Sequence, residues 1–391
     1  MPEDHSQTVA KLASSIASVA AEEWDACAGT ENPFVSHVFL KALEDSGSVG
    51  DGTGWRPLHL LLEDAGGRLI GAMPLYLKSH SWGEYVFDQS WADAWERAGG
   101  RYYPKLQASV PFTPVPGPRL LVRPGADAGA RRALLAKALA AAATQLEVSS
   151  AHVTFAQAED IAALSAAGYL LRKGVQFHWQ NQGYRSFEEF LANLSSRKRK
   201  TIRKERAAVA EAGITLRALP GTEITSRHWD VFFRFYISTS DRKWGSPYLN
   251  RKFFELLGAR LGEKVVLILA EKNGRPVAGA LNLKGADTLY GRNWGTSVDV
   301  PFLHFEACYY QAIEYAIGHG LARVEAGAQG PHKIQRGYLP VETASAHWIA
   351  DAGFRKAVAD FLRRERSAIT HEIAALNEMS PYRCEAQLGD A

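Results

Sequence analysis

Residues 58–72 read LHLLLEDAGGRLIGA, and residues 266–280 read VLILAEKNGRPVAGA. Each is an apolar run, a polar turn containing glycine, and a second apolar run, which is the pattern of a β-hairpin. Glu63 aligns with Glu271, Gly66 with Gly274 and Gly71 with Gly279, each pair 208 residues apart. The elements that follow repeat as well. In the first half a short strand at Arg119–Val122 leads through the small-residue stretch Arg123–Gly129 to a helix over Ala130–Gln145 and a strand at Ala151–Phe155. In the second half a strand at Thr288–Trp294 leads through a Gly/Ser turn to a helix over Leu303–Ile317 and a strand at Leu321–Ala326. That second helix carries an apolar stripe at Phe305, Cys308, Tyr309, Ala312, Ile313, Ala316 and Ile317, spaced i, i+3, i+4. Gly318 and Gly320 end it.

The order hairpin, strand, turn, helix, strand thus occurs twice. It predicts an α/β (α+β) chain of two alike domains, each a mixed, mainly antiparallel sheet flanked by helices; two unrelated α/β domains are the alternative. The boundary is expected at 185/186. Val175–Gln180 alternates as a strand, and Ser186 opens a helix with Glu188 and Glu189 in its first turn. The expected domains are residues 1–185 and 186–391.

Composition narrows the function classes. A chain of 391 residues suits two domains, and its 46% apolar content can fill two cores. The 45 basic and 42 acidic residues leave a net charge of +3, too small to imply nucleic acid. Cys27, Cys308 and Cys384 lie far apart, which argues against a disulfide framework or a zinc knuckle and for a reducing compartment. No basic stretch precedes an apolar one at the N-terminus, and no window approaches 18 uncharged apolar residues. The expectation is a cytoplasmic protein with no bound metal and no tightly bound cofactor.

The repeated order resembles the GNAT acyltransferase fold. In that family the turn before the central helix holds a pyrophosphate on backbone N–H groups, with the motif Gln or Arg, two residues, Gly, one residue, Gly or Ala. Arg292-Asn293-Trp294-Gly295-Thr296-Ser297 matches except for its final Ser, and Arg123-Pro124-Gly125-Ala126-Asp127-Ala128 has its Gly displaced. The resemblance thus implies donor binding at Arg292, Asn293, Trp294, Gly295 and Thr296. Longer stretches carry a closer likeness: Ser90–Tyr103 (SWADAWERAGGRYY), Lys105–Leu120 (KLQASVPFTPVPGPRL), Leu194–Arg206, Thr288–Gly295 and Glu325–Trp348. Over roughly residues 30–380 the chain resembles the FemAB-like family labelled peptidoglycan biosynthesis or recognition. The resemblance implies two GNAT units in tandem and N-acyl transfer to an amine. The acyl group would come from an acyl-CoA or acyl carrier protein thioester used as co-substrate. The acceptor would be a cell-envelope molecule, a peptidoglycan precursor or an amino lipid, with peripheral membrane contact open. A Fem-type aminoacyltransferase using charged tRNA is a second reading, although no long coiled-coil arm interrupts the second half. A non-catalytic protein binding peptidoglycan or another anionic ligand is a third.

Three stretches could carry the chemistry. Arg197–Arg206 (RKRKTIRKER) holds seven Lys/Arg in ten residues, spread around a helix rather than along one stripe. It is either a phosphate site, through Lys198, Arg199 and Arg203, or a solvated helix paired with Glu188, Glu189 and Glu205. Glu325–Pro340 (EAGAQGPHKIQRGYLP) has no helical or alternating period. It follows a predicted strand, and ligands gather at the carboxyl ends of strands. It contributes Gln329, His332, Lys333, Gln335, Arg336 and Tyr338. Acyl transfer needs a base, and Glu325 and His332 rank first for that role, ahead of His304 and Glu306 near a helix start. Tyr290 and Tyr338 are placed to protonate the leaving group, or to pack; Cys308 reads as core. In the first half, Trp91, Trp95, Tyr102, Tyr103 and Lys105 would line an acceptor groove or a packing surface. The fuller polar set makes the second half the expected catalytic one and the first the acceptor-binding one.

Overall fold

The computed structural model describes residues 8–243, 247–327 and 330–383, without the side chains of 240–243. Gln329 and Cys384 lie outside the described residues. The chain forms two compact units, Met1–Gly174 with Glu342–Thr370, and Val175–Val341 with His371–Ala391. They differ from a single cut at 185/186, because strands Leu170–Gln180 and Leu339–Ile349 each begin in one unit and end in the other.

The first unit contains strands β1 (Val9–Ala13), β2 (Trp55–Pro57), β3 (His59–Glu63), β4 (Leu69–Met73), β5 (Leu75–Lys78), β6 (Lys105–Ala108), β7 (Leu121–Val122) and β8 (Ser150–Val153), and the start of β9 (Leu170–Gln180). One antiparallel sheet runs β1-β3-β4-β7. The second unit contains β10 (Ile214–Pro220), β11 (Val265–Lys272), β12 (Arg275–Lys284), β13 (Thr288–Thr296), β14 (Arg323–Glu325) and the start of β15 (Leu339–Ile349). Its β10-β11-β12-β13 order is also antiparallel throughout. The two hairpins share an irregularity: register shifts at Leu62/Glu63 in one and at Ala270/Glu271 in the other. The aligned glutamates therefore mark a β-bulge in both. The turns differ. Asn273 and Gly274 both take positive φ, the two-residue turn that suits strand twist, whereas in the first hairpin Gly67, not Gly66, is left-handed. Gly71 and Gly279 do correspond in role. A Cβ on Gly71 would lie 3.2 Å from Leu135 Cδ1, and one on Gly279 would lie 2.9 Å from Phe232, so each hairpin admits a helix against its face.

In the first unit helix Ala128–Gln145, rich in the best helix former, buries Leu135, Leu139 and Ala142 against the apolar residues of β3, β4, β6 and β8. There β5 is antiparallel to β2 and β6, β6 is parallel to β8, and β8 is antiparallel to the end of β15. In the second unit β13 is parallel to β14, and β14 is antiparallel to the end of β9. The helix after β13 runs over residues 303–318 but includes a π-turn at Glu306–Tyr310. The extra residue rotates the stripe predicted for it. Tyr310 and Glu306 become buried, while Cys308 and Phe305 are only half-buried. Among the described residues no helix is long and apolar enough to cross a membrane.

Candidate functional site

Strands β13 and β14 pair over only three residues, Thr288–Tyr290 with Arg323–Glu325, after which β13 alone continues to Thr296. A bulge sits where they stop. Leu281 pairs with Asn293 and Asn282 with Gly291, so Arg292 is an extra residue, the device by which a strand re-aims a side chain near a site. Tyr290, Glu325 and His178 are direct neighbours across β13, β14 and β9. Tyr290, Glu325 and His178 are all buried, as is Gln176. The intervening residues Leu289, Val324, Phe177 and Trp179 belong to the hydrophobic core. Strand alternation thus puts a polar row on one face and packing on the other.

The electrostatics of the row suit proton transfer. Burial pushes the Glu325 carboxyl up to about 7, with Arg323 and Arg292 opposing. His178 Nδ1 and Arg323 Nε both approach Oε1 at 3.9 Å, while Oε2 has no hydrogen-bond partner. Burial drives His178 down to about 3, so it is neutral. Its Nε2 lies 3.1 Å from Gln176 Oε1; with Nε2 donating there, Nδ1 faces Glu325 as an acceptor. Burial and the Glu325 charge both hold the Tyr290 phenol above its ordinary range, so it stays a proton donor.

The other expected residues fall elsewhere. Exposed His332 meets Tyr309 Oη at 3.0 Å and lies tilted beside Phe305 at 5.6 Å, while Glu325 meets His178 and Arg323. Tyr338 is fully buried and donates to the Tyr309 carbonyl at 3.2 Å, a packing role. Arg292–Thr296 is strand rather than a turn, and Gly295 is there for space: a Cβ would stand 2.2 Å from the Phe235 carbonyl carbon. The strand expected to end at Trp294 thus runs on through Gly295 and Thr296, and the expected turn begins after them.

The basic run is mostly committed to the protein itself. Lys198 bonds Gln335, and Arg199 caps the preceding helix at the carbonyls of Ala192 (3.3 Å) and Leu194 (3.4 Å). Arg203 pairs with Glu188 at 2.5 Å, and Arg206 chelates the buried Glu306 at 3.0–3.2 Å. Arg336 pairs with buried Glu205 at 2.8 Å, and Tyr310 also donates to Glu205. Buried Lys333 gives its ammonium to the Gly327 carbonyl at 2.9 Å, and burial lowers it to about 8. Only Arg197, Lys200 and Lys204 of this run are exposed with no carboxylate partner among the described residues.

Composition gave little warning of a second polar face, in the first unit. Tyr76 and Lys78 on β5, Lys105 and Gln107 on β6, Ser150 and His152 on β8, and Ser345 and His347 on β15 are all at most 5% exposed. Their alternates Leu75, Leu106, Ala108, Ala151, Val153 and Ala346 form the core on the opposite face. Lys105 is held by Glu84 at 2.7 Å, Asp88 at 2.5 Å and Ser81 at 2.8 Å; Tyr102 donates to Asp88 at 2.6 Å. Burial would lower the Lys105 ammonium, but Glu84 and Asp88 more than offset it. Burial lifts Glu84 to about 7 and lowers Lys78 to about 7. His152 is taken by burial to about 3, so its 3.9 Å approach to Asp88 is not an ion pair. Its Nδ1 lies 2.7 Å from that of His347, its direct partner across β8 and β15. Trp91 packs edge-on against His347 at 5.0 Å, and half-buried Tyr103 bonds Ser81 at 2.8 Å. Lys105, expected to line an acceptor groove or a packing surface, is paired inside with Glu84, Asp88 and Ser81. The row Gln107, His152, His347 occupies the strand positions that Tyr290, Glu325 and His178 occupy in the second unit.

These features define a GNAT-like α+β protein with buried polar rows where its parallel strands meet. A family profile described as FemAB-like, peptidoglycan biosynthesis/recognition, matches residues 15–384. The chain belongs to that FemAB-like family of GNAT-type acyltransferases. Among solved structures it is similar to FemX, at 11% identity and a TM-score of 0.56, covering 87% of this chain and 98% of that one. The C-terminal DUF2156 domain of an Agrobacterium fabrum protein gives 9% identity and a TM-score of 0.54, covering 87% and 95%. L-PGS from Bacillus licheniformis gives 12% and 0.50, covering 85% and 98%. At such identities the likeness is one of fold. Curated protein sequences give no match.

Proposed function

We propose that the protein is an N-acyltransferase built as two GNAT units in tandem, with its chemistry in the second unit at Glu325. The row Tyr290–Glu325–His178, placed where β13 and β14 part, carries this reading. An amine acceptor arrives protonated and must lose a proton before it attacks. A buried carboxylate near neutrality with one oxygen unpartnered can take that proton. The amine nitrogen then bonds the thioester carbonyl carbon, the C–S bond breaks, Tyr290 gives its proton to the departing thiolate, and the second proton that the nitrogen sheds on becoming an amide returns to the Tyr290 oxygen. Arg292, on its bulge beside Glu325, is the residue to meet donor charge. The donor is an acyl-CoA or acyl carrier protein thioester, and the acceptor a cell-envelope amine, either a peptidoglycan precursor or an amino lipid.

The test is mass spectrometry of amine acceptors incubated with the full chain and, separately, acyl-CoA, acyl carrier protein thioester or charged tRNA. Amide formation from a thioester, with kcat reduced about 10²- to 10⁴-fold in Glu325→Gln, is expected. Transfer from charged tRNA alone would reassign the donor. Transfer from none of the three, or a variant as fast as the parent, would refute the reading.

A further inference from the structure

The polar face of the first unit is not used by chemistry at Glu325. Its atoms Tyr76 Oη, Glu84 Oε1, Trp91 Nε1, Gln107 Oε1, Ser109 Oγ and His347 Nε2 are buried without a hydrogen-bond partner. A polar group left so costs about 1–3 kcal/mol, and native interiors carry few of them. Six on one face are more than a structural layer explains, and they point to a ligand that supplies the partners.

Charge limits what that ligand can be. Lys78 and Lys105 formally balance Glu84 and Asp88. The Lys105 ammonium is already surrounded by Glu84, Asp88 and Ser81. Lys78 lies over the Trp55 ring at 3.7 Å and 3.8 Å from Glu84 Oε1. An entering anion would meet two carboxylates and find no unpaired cation. An amine or hydroxyl would give Glu84 and Gln107 the hydrogen-bond donors they lack.

A cleft of about 540 Å³ in the same unit is lined by the apolar Tyr169, Leu170, Leu171 and Leu362 together with charged groups that are paired: Lys173 meets Glu342 at 2.8 Å, and Arg366 donates to the Leu171 carbonyl at 2.6 Å. Its size suits a small organic ligand. Arg172 is neutralised by Glu365 at 2.7 and 2.9 Å. It donates to the Phe87 carbonyl at 2.7 Å and lies 5.0 Å over the Trp91 ring. Arg172 thus links the lining of the cleft to the Phe87–Trp91 segment, whose Trp91 covers the polar face at His347. Phe87 is 52% exposed and Trp82 is 60% exposed. The Trp82 carbonyl accepts from Trp55 Nε1 at 3.1 Å and Lys78 Nζ at 3.4 Å, so its backbone is anchored while its indole faces out.

We propose that the first unit binds an amphiphile: its buried polar face takes an amine- or hydroxyl-bearing headgroup, and the cleft with Phe87 and Trp82 takes the hydrocarbon chain. This stands apart from the acyl-transfer reading, since it requires only binding. The experiment is calorimetric titration of the full chain, below micelle concentrations, with dodecylamine, dodecanoate and butylamine. Dodecylamine is expected to bind at least tenfold more tightly than either, because dodecanoate keeps the chain and butylamine the head. The surface double variant Trp82→Ser/Phe87→Ser should lose at least tenfold for dodecylamine, and Glu84→Gln should erase the preference for amine over carboxylate. Glu325→Gln should leave dodecylamine affinity within twofold while it affects turnover, which separates the two proposals. Equal binding of dodecanoate and dodecylamine, or parental affinity in the Trp82/Phe87 variant, overturns the inference. Should Glu84→Gln fail to fold, the exposed pair still decides.

Discussion

Glu325→Gln should make the protein more stable in alkali while disabling it. In the folded chain burial raises the Glu325 carboxyl from 4.5 to about 7. The folded state therefore holds this proton more tightly than the unfolded state does. That contribution is fully present below pH 4.5 and is lost as the pH climbs through about 7. At about 1.4 kcal/mol per pH unit between the two values, ionised Glu325 burdens the fold by about 3 kcal/mol at pH 9. Glutamine keeps the shape and cannot ionise. Wild type and variant should therefore melt alike at pH 4.5, whereas at pH 9 the variant should melt higher by about 6–12 °C, taking about 2–4 °C per kcal/mol for a unit of this size. Paired scanning calorimetry at the two pH values measures the difference. A variant that melts lower at pH 9, or by a margin independent of pH, refutes the claim that this carboxylate is held near neutrality by burial.

Other substitutions probe the surrounding claims. Gly295→Ala should cost about 3 kcal/mol through overpacking against Phe235, read as a fall in melting temperature; an unchanged melt would reopen a looser role for that stretch. Arg206→Ala should cost about 3 kcal/mol in chemical denaturation by leaving Glu306 buried and under-paired. Lys200→Glu, on the exposed side of the same helix, should stay within about 0.5 kcal/mol. Tyr338→Phe removes one hydrogen bond to Tyr309 and should cost about 1 kcal/mol with turnover kept, whereas lost turnover would return Tyr338 to the chemistry.

The hairpins, the helix after each, and the strands around Glu325 were legible because period and turn chemistry are local. The aligned glutamates even marked the shared bulge, since a bulge is a one-residue event that an exact offset preserves. Where the sequence reading failed, the determining contact was distant. The strand expected to end at Trp294 runs on through Gly295 and Thr296, where helix Ser226–Lys243 brings Phe235 against Gly295. The π-turn at Glu306–Tyr310 leaves no mark in the apolar spacing. Lys105-Leu106-Gln107-Ala108-Ser109 and Ser150-Ala151-His152-Val153-Thr154 look like strands with one wet face. Only the cover from Trp91, Tyr102, Phe354 and Val358 makes that face dry. The burial of that face depends on segments more than 200 residues away in the chain.

The two strands that change units inside their own length bear on how such a chain can be inherited. Severing it between residues 185 and 186 would take from the first unit the Ala346–Ile349 partner of β8 and, with it, His347. No single cut yields two pieces that each keep all of their own strands. A gene encoding one half would thus express a sheet with an open margin inviting the wrong neighbour. Recombination that shuffles halves between relatives must respect both crossings at once, so the pair is transmitted as one heritable block.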